Sequence, residues 1–97
     1  MIIVAGTIEL PSEHAPAMAA LARACMEATR AEEGCVVYNL TQSVERPGEM
    51  HVYEEWESLD HLAAHGKSEH LKRFREGLAK LGDPKRKIRM FEAGPEV

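Results

Sequence analysis

No stretch of this chain is apolar for long enough to cross a membrane. Its hydrophobic residues make up 44% of the total but fall in short runs, far below the ~18 consecutive apolar residues of a spanning helix. The segment Met1–Val4 has neither the basic stretch nor the cleavage site of a secretory signal, so the expected location is the cytoplasm. Cysteine is scarce: Cys25 and Cys35 show no C-x-x-C or other metal spacing and read as reduced packing residues. Positive charge is also in deficit. Twelve Lys and Arg against sixteen Asp and Glu give a net charge of −4, which excludes a general nucleic-acid binder, because phosphate affinity needs a dense field of cations. The local exception is Lys85, Arg86, Lys87 and Arg89, which reads either as a solvated strand edge or as an anchor for an anionic substrate. There is no G-x-G-x-x-G, no phosphate loop and no nucleophile elbow, so no flavin or nicotinamide site is expected. Linkers, repeats and low-complexity segments are missing too. The expectation is one domain over residues 1–97, whose ~100-residue size leaves a modest core unless a partner chain covers part of it.

What is present is an alternation of strand and helix signals. Met1–Leu10 is a β-branched run closed by Pro11. Gly6 in its middle marks a bulge or a close approach to the backbone. A helix starts at Ser12 or His14, tolerates Pro16 in its first turn, and carries Met18, Leu21, Ala22, Cys25 and Thr29 on one face, with Gly34 as its left-handed terminator. Cys35–Val44 and Met50–Glu57 form a hairpin across Arg46-Pro47-Gly48-Glu49. Ser58 caps a short helix over Leu59–His65, and Ser68 caps another from Glu69. Leu71, Phe74, Leu78 and Leu81 make the buried stripe of that second helix, which Gly82-Asp83-Pro84 ends. Lys87–Glu92 alternates polar and apolar residues and is the last strand. This order predicts a ferredoxin-like α+β fold, a four-stranded antiparallel sheet with helices on one face. Nothing remains to cover the other face, so two chains stacking sheet on sheet, a homodimer, is the expected assembly.

The chemically capable residues gather in 50–74. Trp56, the single tryptophan, is core filling or a stacking wall for a planar ligand. Tyr38 and Tyr53 lie on paired strands, where either phenol is a sheet residue or a hydrogen-bond partner for a substrate oxygen. His61 and His65, four apart on a helix, could chelate a metal, but no third ligand follows at motif spacing and no metal site is expected. His70 lies near a helix N-terminus, where the macrodipole disfavours a positive charge and leaves a neutral imidazole able to act as general base. The bland alternative is that His65 and His70 hydrogen-bond to each other across the corner at Gly66.

Glu32-Glu33-Gly34-Cys35, Tyr38, and Tyr53-Glu54-Glu55-Trp56-Glu57-Ser58 followed by His61-Leu62, His65 and Ser68-Glu69-His70 resemble the antibiotic biosynthesis monooxygenase superfamily, and within it small bacterial quinol monooxygenases. The resemblance implies a dimeric α+β barrel with a pocket between sheet and helices. It also implies oxygenation of a quinol or polyphenol by molecular oxygen without any cofactor: the substrate loses a proton and its anion reacts with oxygen directly. His65 and His70 are then the expected acid–base pair, with Tyr38, Tyr53, Trp56 and Phe74 as substrate-binding residues. Haem-degrading relatives have an asparagine, a tryptophan and a histidine where this chain has Gly6, His65 and Arg75, which argues against haem. Another branch isomerises a phosphorylated carbonyl compound from quorum-signal breakdown, and Pro84-Lys85-Arg86-Lys87 resembles its end. A non-catalytic protein that binds aromatic ligands is the third alternative.

Overall fold

A computed structural model describes all residues 1–97. Strand β1 (Ile2–Glu9) is followed by a 3-10 turn over Ser12–His14 and helix α1 (Ala15–Thr29). The hairpin β2 (Cys35–Gln42) and β3 (Glu49–Trp56) comes next, then α2 (Leu59–Gly66), α3 (Glu69–Leu81) and β4 (Lys85–Glu92). The strands lie in the order β2-β3-β1-β4, every neighbour pair antiparallel. This is the ferredoxin-like α+β arrangement expected from the sequence.

The period of two along each strand decides what faces the helices. Ile2, Val4 and Ile8 of β1, Tyr38 and Leu40 of β2, and Met50, Val52, Glu54 and Trp56 of β3 are all buried on that side. Met18, Ala22, Cys25 and Thr29 of α1 and Leu71, Phe74 and Leu78 of α3 close over them. Both serine caps form as the sequence predicts: Ser58 Oγ accepts from the His61 amide at 3.2 Å, and Ser68 Oγ from that of Leu71 at 3.3 Å.

Two glycines are required by their surroundings. At Gly6 a Cβ would collide with the carbonyl of Lys87, so β4 can press against β1 only because the side chain is missing. Gly34 has φ 82° and a Cβ there would strike the His61 ring. It does not terminate α1 as the sequence suggested. The helix closes five residues earlier at Thr29, and Gly34 instead turns the chain into β2, accepting a bond from the Glu57 amide at 2.9 Å. Gly82 likewise sits in extended backbone (φ 164°), so α3 stops without a left-handed cap.

The helices leave one edge of the sheet open. Strand β4 has no buried residue. It begins at Lys85 rather than Lys87, so Arg86 belongs to its ladder and pairs with Ile8, which places Arg86, Ile88 and Met90 on the helix side. Lys85, Lys87, Arg89 and Phe91 take the opposite face. That far face, with Tyr53 and Phe91 exposed, has no cover within the chain.

Candidate functional site

A cavity of about 480 Å³ opens where α2 and α3 stand away from β1 and β4. Val4, Ile8, Leu40 and Val52 form its floor, Leu62, Leu71 and Phe74 its helical wall, and Ile88 and Met90 its outer rim. Four ionisable side chains interrupt this apolar surface: Glu54, His65, Arg75 and Arg86. A mostly apolar hollow of this size with a few converging polar groups is the usual form of a small-molecule site.

His65 is the best placed of these for acid–base chemistry. Its position on α2 turns it inward to 3% exposure, and its Nδ1–H donates to Glu32 Oε2 at 2.6 Å. Nε2 has no hydrogen-bond partner in the protein and is not fully buried, and His65 lines the cavity. Burial holds His65 below the usual imidazole range, and the Glu32 bond opposes that in part. A neutral imidazole with one nitrogen anchored by a carboxylate and the other free is a base oriented for use. Trp56 stacks against it, ring centres 4.8 Å apart and tilted 32°, and Tyr38 meets it edge-on at 5.1 Å.

Glu32 entered the sequence reading only as part of the Glu32-Glu33-Gly34-Cys35 stretch, with no role at the site. It lies in the turn after α1, where its amide bonds to the Thr29 carbonyl at 2.9 Å. Its Oε2 accepts from both His65 and, at 2.7 Å, His70 Nε2–H. The two histidines therefore meet through Glu32, not through a bond across Gly66. Donor atoms of Glu32, His65 and His70 all lie within 4.8 Å of one another, a set that could hold a metal. The two short contacts are hydrogen-bond lengths, however, tighter than the ~3.3 Å between ligands at 2.0–2.1 Å around a tetrahedral zinc. As placed, the three side chains are joined by hydrogen bonds. His61, the other half of the i, i+4 pair, turns away from His65 and bonds Ser58 Oγ through Nδ1 at 2.7 Å.

The remaining expected site residues divide. Phe74 lines the cavity. The ring of Tyr38 does too, but its hydroxyl points back toward α1 and contacts Cys25 Sγ at 3.6 Å. Burial pushes that phenol far above its usual range, so it stays protonated. Tyr53 is on the wrong face: it pairs with Asn39, one residue out of phase with Tyr38, and its hydroxyl donates to Glu55 at 2.6 Å. Trp56 is fully buried and supports His65 from behind without lining the cavity. Its indole N–H donates to Glu54 Oε1 at 2.8 Å. His70 lines a separate, smaller recess between α1 and α3 and is linked to the main cavity through Glu32 and then His65.

Glu54 is a second residue that the sequence reading passed over. Its place on the inward phase of β3, between Val52 and Trp56, was the available signal. Burial raises its carboxyl above the usual range, against the lowering effects of the Trp56 bond and of Arg75.

Fold and site together define a small α+β protein with a ligand cavity between sheet and helices. The family model for antibiotic biosynthesis monooxygenases matches residues 1–77, and the chain belongs to that family. It is similar to a proposed antibiotic biosynthesis monooxygenase from Deinococcus radiodurans, at 29% identity and TM-score 0.92, covering 100% of this chain and 96% of that one. It is also similar to a Pseudomonas aeruginosa protein (29% identity, TM-score 0.86, 97% and 94% covered). A conserved Methanosarcina mazei protein is similar at 27% identity and TM-score 0.86, with 96% and 92% covered. No curated protein matches the sequence.

Proposed function

We propose that this protein is a cofactor-independent monooxygenase that acts on a quinol or polyphenol in the cavity beside His65. The observation that carries the proposal is a buried imidazole that lines an apolar hollow, anchored at Nδ1 by Glu32 and with no protein partner at Nε2. A phenol with pKa near ~10 is largely protonated at neutral pH, so the reactive anion needs a base in contact with it. His65 Nε2 takes the phenolic proton. The ring carbon ortho to the resulting oxyanion then forms a C–O bond to molecular oxygen, giving a hydroperoxide once a proton is returned. Loss of water breaks the O–O bond and leaves a new carbonyl. The net change is one hydroquinone plus one O₂ giving one hydroxyquinone plus one water, all four electrons coming from substrate and no external reductant being used.

The test is oxygen uptake by chelator-treated protein across a panel of small quinols, each corrected for its spontaneous oxidation. At least one quinol should be consumed with one O₂ per turnover, and labelled oxygen should appear once in the product and once in water. A panel giving no uptake above the heat-inactivated control would count against the reading.

We further propose that the working form is a homodimer joined through the far face of the sheet, because Tyr53 and Phe91 stand exposed there with no helix to cover them. Light scattering at micromolar concentration should give twice the chain mass of 10.8 kDa. A stable monomer would contradict it.

A further inference from the structure

The cavity carries two positive charges that base chemistry at His65 does not use. Arg75 follows Phe74 on α3, one turn after Leu71, and so reaches the same wall. Arg86 arrives from the opposite side, because its pairing with Ile8 turns it inward while Lys85, Lys87 and Arg89 face away. Both line the cavity yet remain exposed, so they stand at its mouth. Neither forms an ion pair, in contrast to Arg46, which reaches Glu9 and Glu49. Arg86 is held below the usual guanidinium range by burial and then by the nearby charge of Arg75.

The one carboxylate in the lining, Glu54, feels the charge of Arg75 but forms no ion pair with either arginine. Glu54 is engaged by the Trp56 indole, and its burial favours the uncharged form. The remaining lining is mainly hydrophobic, ten of fifteen residues. Two like charges are thus brought together at the entrance of an apolar hollow, with no carboxylate in an ion pair with either of them. An oxyanion set between them would relieve their repulsion and accept hydrogen bonds from both planar forks.

We propose that Arg75 and Arg86 form an anion clamp, and that the ligand is an aromatic compound carrying an ionised carboxylate or phosphate, its ring in the apolar cavity and its acid group at the mouth. This rests on the reading of the cavity as the substrate site but not on oxygenation taking place there. Carboxylate and phosphate share the chemistry that the clamp recognises.

Calorimetric titration of the full chain with naphthol, hydroxynaphthoate and naphthyl phosphate separates these possibilities. At low salt at least one of the two anions should bind about ten-fold more tightly than naphthol, with the advantage shrinking as salt is added. The preferred anion identifies the acid group. In the Arg75→Gln/Arg86→Gln double variant the preference should vanish while naphthol affinity is retained, and the unchanged naphthol binding also reports an intact fold. Equal binding of all three by the wild type, or a preference that survives in the double variant, would overturn the clamp. Naphthol binding without any anion preference would remove the clamp and leave the cavity assignment standing. Failure of all three to bind would remove both.

Discussion

His65→Gln is expected to lower turnover of an oxidisable quinol by about 10²–10⁴-fold, the usual contribution of a positioned general base. The fold should survive, since glutamine fills much of the same space. The loss should fall on kcat, because His65 acts on the proton that leaves and not on the bulk of the ring. Glu32→Gln should cost less, about ten-fold, since it leaves the base present but less firmly oriented. His70→Ala should cost least of the three, because His70 lines a different recess and is linked to the cavity only through Glu32 and then His65. The pH profile adds an independent check. Burial lowers the His65 pKa, so the base stays neutral, and activity should persist, to below the ordinary ~6.5 before the acid limb of kcat/KM sets in. Removing the Glu32 carboxylate takes away an influence that raises this pKa, and should move the acid limb lower still. Stability follows with a definite sign. Below ~6.5 the unfolded chain takes up a proton at His65 before the folded one does, so stability declines as pH falls from there through the folded pKa. Full activity of His65→Gln on an established substrate would show that the imidazole is only structural.

Trp56→Ala is expected to be the most destabilising single substitution in the sheet. A fully buried tryptophan truncated to alanine costs about 3–5 kcal/mol in transfer and cavity terms. Glu54 also loses its indole donor, and a buried polar group left without a partner costs a further ~1–3 kcal/mol. Against the ~5–15 kcal/mol of a typical domain this is a large share. Trp56→Phe isolates the second contribution, since it keeps most of the ring but not the N–H. Chemical denaturation at fixed protein concentration should show a large fall in midpoint for Trp56→Ala and an intermediate one for Trp56→Phe. Equal midpoints for wild type and Trp56→Ala would mean that Trp56 does not anchor the sheet.

Much of the architecture could be read along the chain because the deciding signals are local. The serine caps at 58 and 68, the stripe Leu71, Phe74, Leu78 and the β-branched run at the start each fix an element without reference to anything distant. The site was less legible because it depends on register and on a contact between distant segments. Tyr53 appeared equivalent to Tyr38 until the Asn39–Tyr53 pairing put them on opposite faces. Trp56 has the chemistry of a ligand wall, but its inward phase at the end of β3 buries it completely. Glu32 meets His65 across 33 residues, a separation at which no spacing pattern carries information. Arg86 belonged to a basic cluster that read either as a solvated edge or as an anchor for an anionic substrate, and its pairing with Ile8 is what places it on the cavity side.

The most direct test of the central claim is oxygen uptake by the wild type and His65→Gln on a quinol that the wild type turns over, followed from neutral to alkaline pH. At neutral pH the variant should be slower by about 10²–10⁴-fold. The gap should narrow as pH rises toward the phenol's own ~10, where the substrate ionises without a base. Equal rates at neutral pH, or a gap that stays constant as pH rises, would contradict the account.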